Sequence, residues 1–276
     1  MTINYLPGTQ IQVVREVPRG KFKHALFDFD GTVSLLREGW QQVMKPVMIE
    51  CICGEHLCTP EIEHEVMEFI HETTGINTIL QMEGLVDMVR KKGFVPEDKM
   101  LDAHGYKKIY NDRLMVRVSE RIQQMAEGKL SPEETTVRGS VAFVKAMHER
   151  GLYMCIFSGT DHEDVEHEAG LVGVRSYFTE VYGARKTYAE SNKEKVLRKA
   201  IEDHHLHGSE VLIVGDGPVE IKVAKQEGCV SIGVCSNELE GCGWDEVKRQ
   251  RLADAGADIL IPDFGERDAL IAYLFP

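Results

Sequence analysis

The sequence predicts an α/β protein with a doubly wound, Rossmann-like parallel sheet and an inserted all-helical cap. From residue 131 onward, short apolar runs alternate with segments of helical periodicity, which is typical of parallel strands joined by crossover helices. Between residues 35 and 129 only helical periodicity is found. Hydrophobic residues make up 43% of the 276 residues, enough to form a buried core.

The first predicted elements are two strands. Residues 9–16 alternate apolar and polar side chains, and residues 24–30 form a short apolar run that Gly31 closes. The turn residues at 18–20 lie between them, so we expect the two runs to form a hairpin that opens the fold.

The helical cap follows. Residues 61–71 place Ile62, Val66 and Ile70 on one face, and residues 76–92 end in three basic residues before Gly93. A third helical stretch covers residues 106–126. The predicted boundaries are therefore 35–129 for the helical cap and 1–34 with 130–276 for the α/β core.

The remaining elements alternate along the core. Helices are predicted at 137–150, 162–169, 193–203, 219–227, 245–254 and 266–274. Strands are predicted at 152–157, 179–183, 210–214, 230–234 and 258–261. The strand at 24–30 joins this sheet, which makes the cap an insertion between its first and second strands.

Composition limits the classes of partner and location. Acidic residues outnumber basic residues by 45 − 32 = 13, so a surface that repels phosphate backbones and anionic lipids is expected. Seven cysteines, an odd number, argue against a disulfide framework and fit a reducing compartment. No apolar run approaches the ~20 residues of a membrane span. We expect a cytoplasmic protein that binds neither nucleic acid nor membrane.

Polar residues follow four of the predicted strands, where ligands bind in open α/β sheets. Asp28 and Asp30 follow the first strand and the segment 158–160 (SGT) follows the second. Arg185 and Lys186 follow the third, and Asp216 follows the fourth. The sequence therefore predicts a catalytic site at this edge of the sheet.

Asp28 and Asp30 have the chemistry of a phosphoryl-transfer site. Two carboxylates close together repel each other unless a cation lies between them, and Mg²⁺ prefers such oxygen ligands. One carboxylate then serves as the nucleophile and the other as the general acid and base. The competing interpretation is a helix or turn cap made by the two aspartates.

Three further elements fit the same chemistry. Ser158 and the amides after it form an anion cradle, or alternatively Ser158 or Thr160 caps the next helix. Lys193 opens a predicted helix and is preferred over Lys186 and Lys195 as the lysine that neutralises phosphate. Asp216 is expected to bind the same metal as Asp28, with Glu220, four residues later, orienting water on the ion.

Together these motifs resemble those of the haloacid dehalogenase superfamily. The resemblance rests on DFDGT at 28–32, Ser158 in FSGT, Lys193 and GDGPVE at 215–220, in the family's order. The chain departs from it in reading Asn-Lys-Glu at 192–194 where Lys-Pro is frequent, and in having Glu220 where Asp is common. The insertion after the first motif resembles the family's type 1 helical cap.

The resemblance implies specific roles for these residues. Asp28 becomes a phosphoaspartate, and Asp30 protonates the leaving group and then activates water. Ser158 and the N–H groups of Phe29 and Gly159 hold the phosphoryl oxygens, and Lys193 spans Asp28 and the phosphate. Mg²⁺ is bound by the Asp28 side chain, the Asp30 carbonyl oxygen and the Asp216 side chain.

The function predicted on this basis is Mg²⁺-dependent hydrolysis of a small phosphate monoester, with a sugar phosphate as one candidate. The presence of Asp30 favours phosphate-ester chemistry over dehalogenation. Two alternatives stay open: a phosphomutase similar to β-phosphoglucomutase, and a binding or regulatory member without catalysis. The sequence leaves the oligomeric state open.

The cap is expected to contribute specificity. Arg37 and Trp40 follow the first motif and are candidates for substrate contact, with packing of Trp40 in the cap as the competing interpretation. The break between cap helices at 72–75 is expected to face the core.

Two other clusters are interpreted structurally. Cys51, Cys53, His56 and Cys58 lack the spacing of common structural zinc sites, so a helix end and loop is the favoured interpretation. His204, His205 and His207 are interpreted as a solvated helix end.

Overall fold

An eight-stranded sheet forms the centre of the molecule. The computed structural model describes residues 4–184, 193–203 and 205–276, and within 193–203 the side chains of residues 195, 198, 199 and 201–203. The strands are β1 Asn4–Tyr5, β2 Gln12–Val13, β3 His24–Phe27, β4 Tyr153–Asp161, β5 Glu180–Ala184, β6 Val211–Gly215, β7 Val230–Val234 and β8 Ile259–Ile261.

The strand order is β1-β2-β8-β7-β6-β3-β4-β5, and all pairs from β8 to β5 are parallel. The chain moves from β3 outward to β4 and β5, then returns to the other side of β3 with β6. This reversal places a topological switch point at the carboxyl ends of β3 and β6. The predicted doubly wound parallel sheet is confirmed.

The predicted opening hairpin is wrong. β2 pairs antiparallel with β1 and β8, whereas β3 pairs in parallel with β4 on one edge and with β6 on the other. The alternating pattern of residues 9–16 correctly indicated a strand. This strand does not pair with β3, because both edges of β3 are already paired, with β4 and with β6. The short β2 instead extends the sheet beside β8.

In the part of the chain that the structure describes, six helices cover the two faces of the sheet. They are α5 Ser140–Glu149, α6 His162–Leu171, α7 Lys193–Asp203, α8 Pro218–Gln226, α9 Glu246–Ala255 and α10 Arg267–Leu274. Each lies within a few residues of its predicted range. Strands β6 and β7 are buried along their whole length, which explains their continuous apolar sequences.

Four helices between β3 and β4 form a separate layer, here called the helical unit. They are α1 Trp40–Cys53, α2 Pro60–Glu72, α3 Thr78–Lys92 and α4 Ala103–Ala126. Their apolar faces share a hydrophobic cluster of their own. Thr59, Asn77 and Asp102 cap the N-termini of α2, α3 and α4.

Two linkers join the helical unit to the sheet. The Leu35 N–H donates to the Thr135 carbonyl oxygen at 2.8 Å, so the outgoing and returning linkers lie side by side. Arg121 of α4 donates to the carbonyl oxygens of Leu36 (2.9 Å) and Glu38 (2.7 Å). These bonds hold the helical unit over the carboxyl ends of the strands. No helix in the described ranges has the length and apolarity needed to cross a membrane.

Candidate active site

A cavity of about 90 Å³ lies between the carboxyl ends of β3, β4 and β6 and the helical unit. The core lines it with Asp28, Asp30, Ser158, Gly159, Thr160, Asp161 and Asp216. The linker and the helical unit line it with Arg37, Trp40, Thr74, Gly75, Ile76, Thr78, Gln81, Lys107, Tyr110, Asn111 and Leu114. The structure therefore brings the predicted aspartates and the serine turn to one cavity.

Asp28 is held at the end of β3. It is only 6% exposed, its N–H donates to the Val214 carbonyl oxygen, and its Oδ1 accepts the N–H of Phe29 at 2.7 Å. The Phe29 ring is fully buried in the core cluster, so only the main chain of this residue faces the carboxylate. This arrangement fixes one oxygen of Asp28 and orients the carboxylate.

Asp30 is oriented by two hydroxyl groups of β4. Its Oδ2 accepts hydrogen bonds from Ser158 Oγ at 3.1 Å and from Thr160 Oγ1 at 2.8 Å. Its Oδ1 is buried and has no hydrogen-bond partner among the described residues. Because a buried carboxylate oxygen is normally hydrogen-bonded, Oδ1 is available to a group that enters the cavity.

Asp216, at the end of β6, is buried against the first loop. A Cβ on Gly31 would lie 2.4 Å from Asp216 Oδ2, so only glycine allows this approach. The Nζ of Lys248, in α9, lies 2.9 Å from Asp216 Oδ2 and 2.7 Å from Glu238 Oε1. Burial alone would lower the pKa of Lys248, but Asp216 and Glu238 raise it above its ordinary value. Burial raises the pKa of Glu238.

The donor set fits one hard divalent cation. Asp28 and Asp216 are buried carboxylates on the same cavity, and the charge of Lys248 is offset by Glu238. The site is therefore negative overall, which favours a cation. Within the described ranges no three acidic, histidine or cysteine side chains form a metal-binding group. The Asp30 carboxylate bonds to β4 through Oδ2, and the expected third ligand, the carbonyl oxygen of Asp30, stays a prediction.

The loop between α2 and α3 closes the cavity from above. A Cβ on Gly159 would lie 2.7 Å from the Ile76 carbonyl oxygen, and one on Gly217 would lie 3.2 Å from Gly75 Cα. The backbones of the two layers are thus in direct contact. The expectation that the break at 72–75 faces the core agrees with this geometry.

Arg37 lines the cavity, but its guanidinium group already donates hydrogen bonds to two carboxylates of α6. Its Nη2 lies 2.6 Å from Glu168 and 2.9 Å from Asp164, and its Nε also bonds Glu168. Burial raises the pKa of Glu168 to about 7, with Arg37 opposing that shift. Arg37 thus ties the outgoing linker to α6.

Aromatic and basic side chains complete the wall. Trp40 both lines the cavity and packs against the cluster of the helical unit, so the two interpretations of it are compatible. Lys107 Nζ in α4 lies 2.6 Å from Asp161 Oδ1, an ion pair across the rim. Burial raises the pKa of Tyr110. The helical spacing of Lys107 and Tyr110 indicated only an amphipathic helix, so sequence reasoning did not single them out.

Other predicted residues lie in different surroundings. Lys193 is the first residue of α7, but its side chain is not among those that the structure describes. Arg185, Lys186 and His204 lie outside the described residues. Glu220 is 1% exposed, and its carboxylate lies against Gly217 and Gly75. Its expected role, orienting water on the metal ion, stays a prediction.

The cysteine-rich segment forms a helix end and loop, as the favoured interpretation held. Cys53 is the last residue of α1, and the His56 ring stacks on Phe94 with centroids 4.6 Å apart. Among the described residues of this segment, no three histidine, cysteine or acidic side chains are grouped as they would be around a metal ion. His205 and His207 follow α7 in the turn before β6, and His205 is exposed.

Comparisons with known proteins agree with this geometry. The sequence model of the family described as haloacid dehalogenase-like hydrolase matches residues 22–228, more than half of the chain. A phosphoglycolate phosphatase of Vibrio vulnificus is 28% identical over 137 residues, which cover 50% of this chain and 59% of that protein. The match thus spans less than two thirds of that relative's length.

Solved structures share the fold. A predicted phosphatase from Clostridium acetobutylicum superimposes with a TM-score of 0.59 at 16% identity, covering 92% of this chain and 99% of its own. A β-phosphoglucomutase from Clostridium difficile gives a TM-score of 0.55 at 11% identity, covering 84% and 98%. At these identities the likeness concerns the fold.

Proposed function

Because the chain belongs to the haloacid dehalogenase-like hydrolase family, we propose that it is a phosphatase that hydrolyses small phosphate monoesters through an aspartyl phosphate on Asp28. One observation carries this proposal. Asp28, Asp30, Asp216 and the turn 158–160 line the same cavity, although they lie far apart in sequence. Nucleophile, acid–base group and anion cradle are the parts that this reaction needs.

The reaction has two steps. In the first, a carboxylate oxygen of Asp28 attacks phosphorus, the bond to the ester oxygen breaks, and Asp30 donates a proton to the departing alcohol. In the second, Asp30 takes a proton from a water molecule whose oxygen attacks phosphorus. The bond to Asp28 then breaks and phosphate is released. Throughout, the Ser158 hydroxyl and the Gly159 N–H hold the phosphoryl oxygens.

The proposed cofactor is Mg²⁺, held by the side chains of Asp28 and Asp216 and the carbonyl oxygen of Asp30. When bound, it neutralises charge on the phosphoryl oxygens and allows two carboxylates to share one site. Lys193, at the start of α7, is proposed to add a second positive charge. Lys248 binds Asp216 Oδ2, the oxygen that lies against Gly31 of the first loop, and offsets part of its charge.

The proposed substrate is a small phosphorylated metabolite. A cavity of about 90 Å³, closed by the loop between α2 and α3, favours small leaving groups over polymers. Phosphoglycolate, named in the curated relatives, and sugar phosphates are the first compounds to test. All seven cysteines are free thiols, which supports a reducing compartment such as the cytoplasm.

The test is phosphate release from a panel of phosphoglycolate, glycerol phosphates and hexose phosphates, with Mg²⁺ or with chelator. We predict turnover that needs the ion and falls by at least about a thousandfold in Asp28→Asn, because the nucleophile is lost. Equal turnover by Asp28→Asn would contradict the mechanism.

The same panel separates the alternatives. A hexose monophosphate that isomerises faster than it releases phosphate, with a bisphosphate as primer, would indicate a phosphomutase. Tight binding of a phosphate compound without any turnover would indicate a binding protein.

A further inference from the structure

Thr160 makes a contact for which its place in the sequence gave no signal. Its Oγ1 donates to Asp30 Oδ2 at 2.8 Å, shorter than the 3.1 Å bond from Ser158. Building on the proposed phosphatase function, we propose that Thr160 is a positioning residue that holds the general acid–base group Asp30 during catalysis. Ser158, by contrast, is needed for the phosphoryl group.

The strand geometry explains why both hydroxyls reach Asp30. Residues two apart on a strand point to the same face, and β4 continues through residues 158–161. Its pairing with β5 becomes irregular between Phe157 and Asp161, and both hydroxyls lie within hydrogen-bond distance of Asp30. Ser158 and Thr160 therefore face the same carboxylate.

A second hydrogen bond links the two residues. The Thr160 N–H donates to Ser158 Oγ at 3.0 Å, while Ser158 Oγ donates to Asp30. A hydroxyl has one proton to donate, so a Ser158 hydroxyl that turns to a phosphoryl oxygen releases Asp30. Thr160 is then the remaining hydroxyl that binds Asp30 in this arrangement.

The bond also selects which oxygen of Asp30 reacts. Oδ2 already accepts hydrogen bonds, whereas Oδ1 is buried at the cavity without a described partner. A proton carried by Asp30 is therefore placed on Oδ1, where the leaving oxygen can receive it. Removal of the Thr160 hydroxyl allows the carboxyl group to rotate and misplaces this proton.

The experiment compares phenyl phosphate with 4-nitrophenyl phosphate, which have similar shapes but leaving groups of different basicity. Phenolate needs protonation more than 4-nitrophenolate, and general acid catalysis contributes roughly 10²–10⁴-fold where it is needed. We expect Thr160→Val to lower kcat/KM for phenyl phosphate by about tenfold or more and for 4-nitrophenyl phosphate by less than about threefold. Thr160→Ser, which keeps the hydroxyl, should restore both.

Two controls distinguish positioning from damage to the fold. Ser231→Ala removes a buried hydroxyl from β7 that bonds Asp258, and should not change the ratio between the two esters. In an Asp30→Asn background, Thr160→Val should have no further effect on that ratio.

Equal losses on both esters, or no loss on either, would overturn the role of Thr160 while leaving the phosphatase proposal intact. A wild-type chain that hydrolyses neither ester, nor any member of the metabolite panel, would overturn both proposals.

Discussion

At the scale of single residues, the site depends on glycines that let charged groups approach. Gly31 has a φ of 74°, in the left-handed region, and its Cα lies against the Asp216 carboxylate. The motif DFDGT therefore needs its glycine for two reasons, the turn of the backbone and the space for the Asp216 carboxylate.

Gly31→Ala tests this requirement. The added Cβ would lie 2.4 Å from Asp216 Oδ2 in a backbone conformation that costs alanine about 1–2 kcal/mol. We predict a loss of roughly 3 kcal/mol or more in the free energy of unfolding and at least tenfold lower Mg²⁺ affinity, measured by urea denaturation and calorimetry.

Gly128→Ala is the matched control. Gly128 has a φ of 68°, but a Cβ there meets nothing within 4 Å, so only about 1 kcal/mol of backbone strain is expected. If the two variants were equally stable and bound Mg²⁺ equally well, the contact with Asp216 would have no importance.

At the scale of secondary-structure elements, β4 and the loop between α2 and α3 decide how the cavity is closed. The Gly159 backbone lies directly beneath the Ile76 carbonyl oxygen. We expect this close packing of the two layers to limit the access of water to the reacting groups, which would strengthen electrostatic interactions there.

Gly159→Ala should hold the layers apart, because its Cβ would lie 2.7 Å from that carbonyl oxygen. We predict a kcat/KM at least tenfold lower, with a smaller change in the free energy of unfolding. Gly170→Ala in α6, where a Cβ meets nothing within 4 Å, should leave kcat/KM unchanged and stabilise the helix by up to about 1 kcal/mol. Full activity of Gly159→Ala would show that closure does not require this contact.

Sequence patterns predicted elements better than the contacts between them. Hydrophobic periodicity located the strands and helices, and polar residues at strand ends located Asp28, Asp30, Ser158 and Asp216. The partner of β2 was predicted wrongly, because alternation shows that a segment is a strand but not which edge it joins.

The ion pair of Lys248 with Asp216 could not be predicted for a similar reason. A lysine in an otherwise polar helix gives no signal, and 32 positions separate it from Asp216. The hydrogen bond of Thr160 likewise depends on the pairing of β4 with β3, which a single sequence does not specify.

At the scale of the whole molecule, a buried ion pair connects the outgoing linker to the core. Arg37 and Glu168 lie in different layers, and both side chains are almost fully buried. This pair makes the stability of the junction depend on pH. Burial raises the pKa of Glu168 from its ordinary value of 4.5 to about 7.

The sign of this dependence follows from the raised pKa. Between pH 4.5 and 7, Glu168 keeps its proton in the folded chain but loses it in the unfolded chain. The stabilisation that this proton gives to the folded state is therefore complete below pH 4.5 and is lost as the pH rises toward 7. In the wild type, this effect should lower the free energy of unfolding by about 2 kcal/mol between pH 5 and pH 7. In Glu168→Gln this decrease should be absent. Urea denaturation at several pH values measures it.

Glu163→Gln, on an exposed position of the same helix, should keep the wild-type dependence on pH. A Glu168→Gln variant with the wild-type dependence would show that Glu168 does not titrate in this range.

The most direct test of the proposed mechanism is the capture of the covalent intermediate. Acid quenching during turnover, followed by proteolysis and mass spectrometry, would locate a phosphoryl group. Asp30→Asn should increase its amount, because the base that activates water is lost while a good leaving group such as 4-nitrophenolate can still depart. We predict this phosphoryl group on Asp28, and its absence during turnover, or its presence on another residue, would contradict the proposed mechanism.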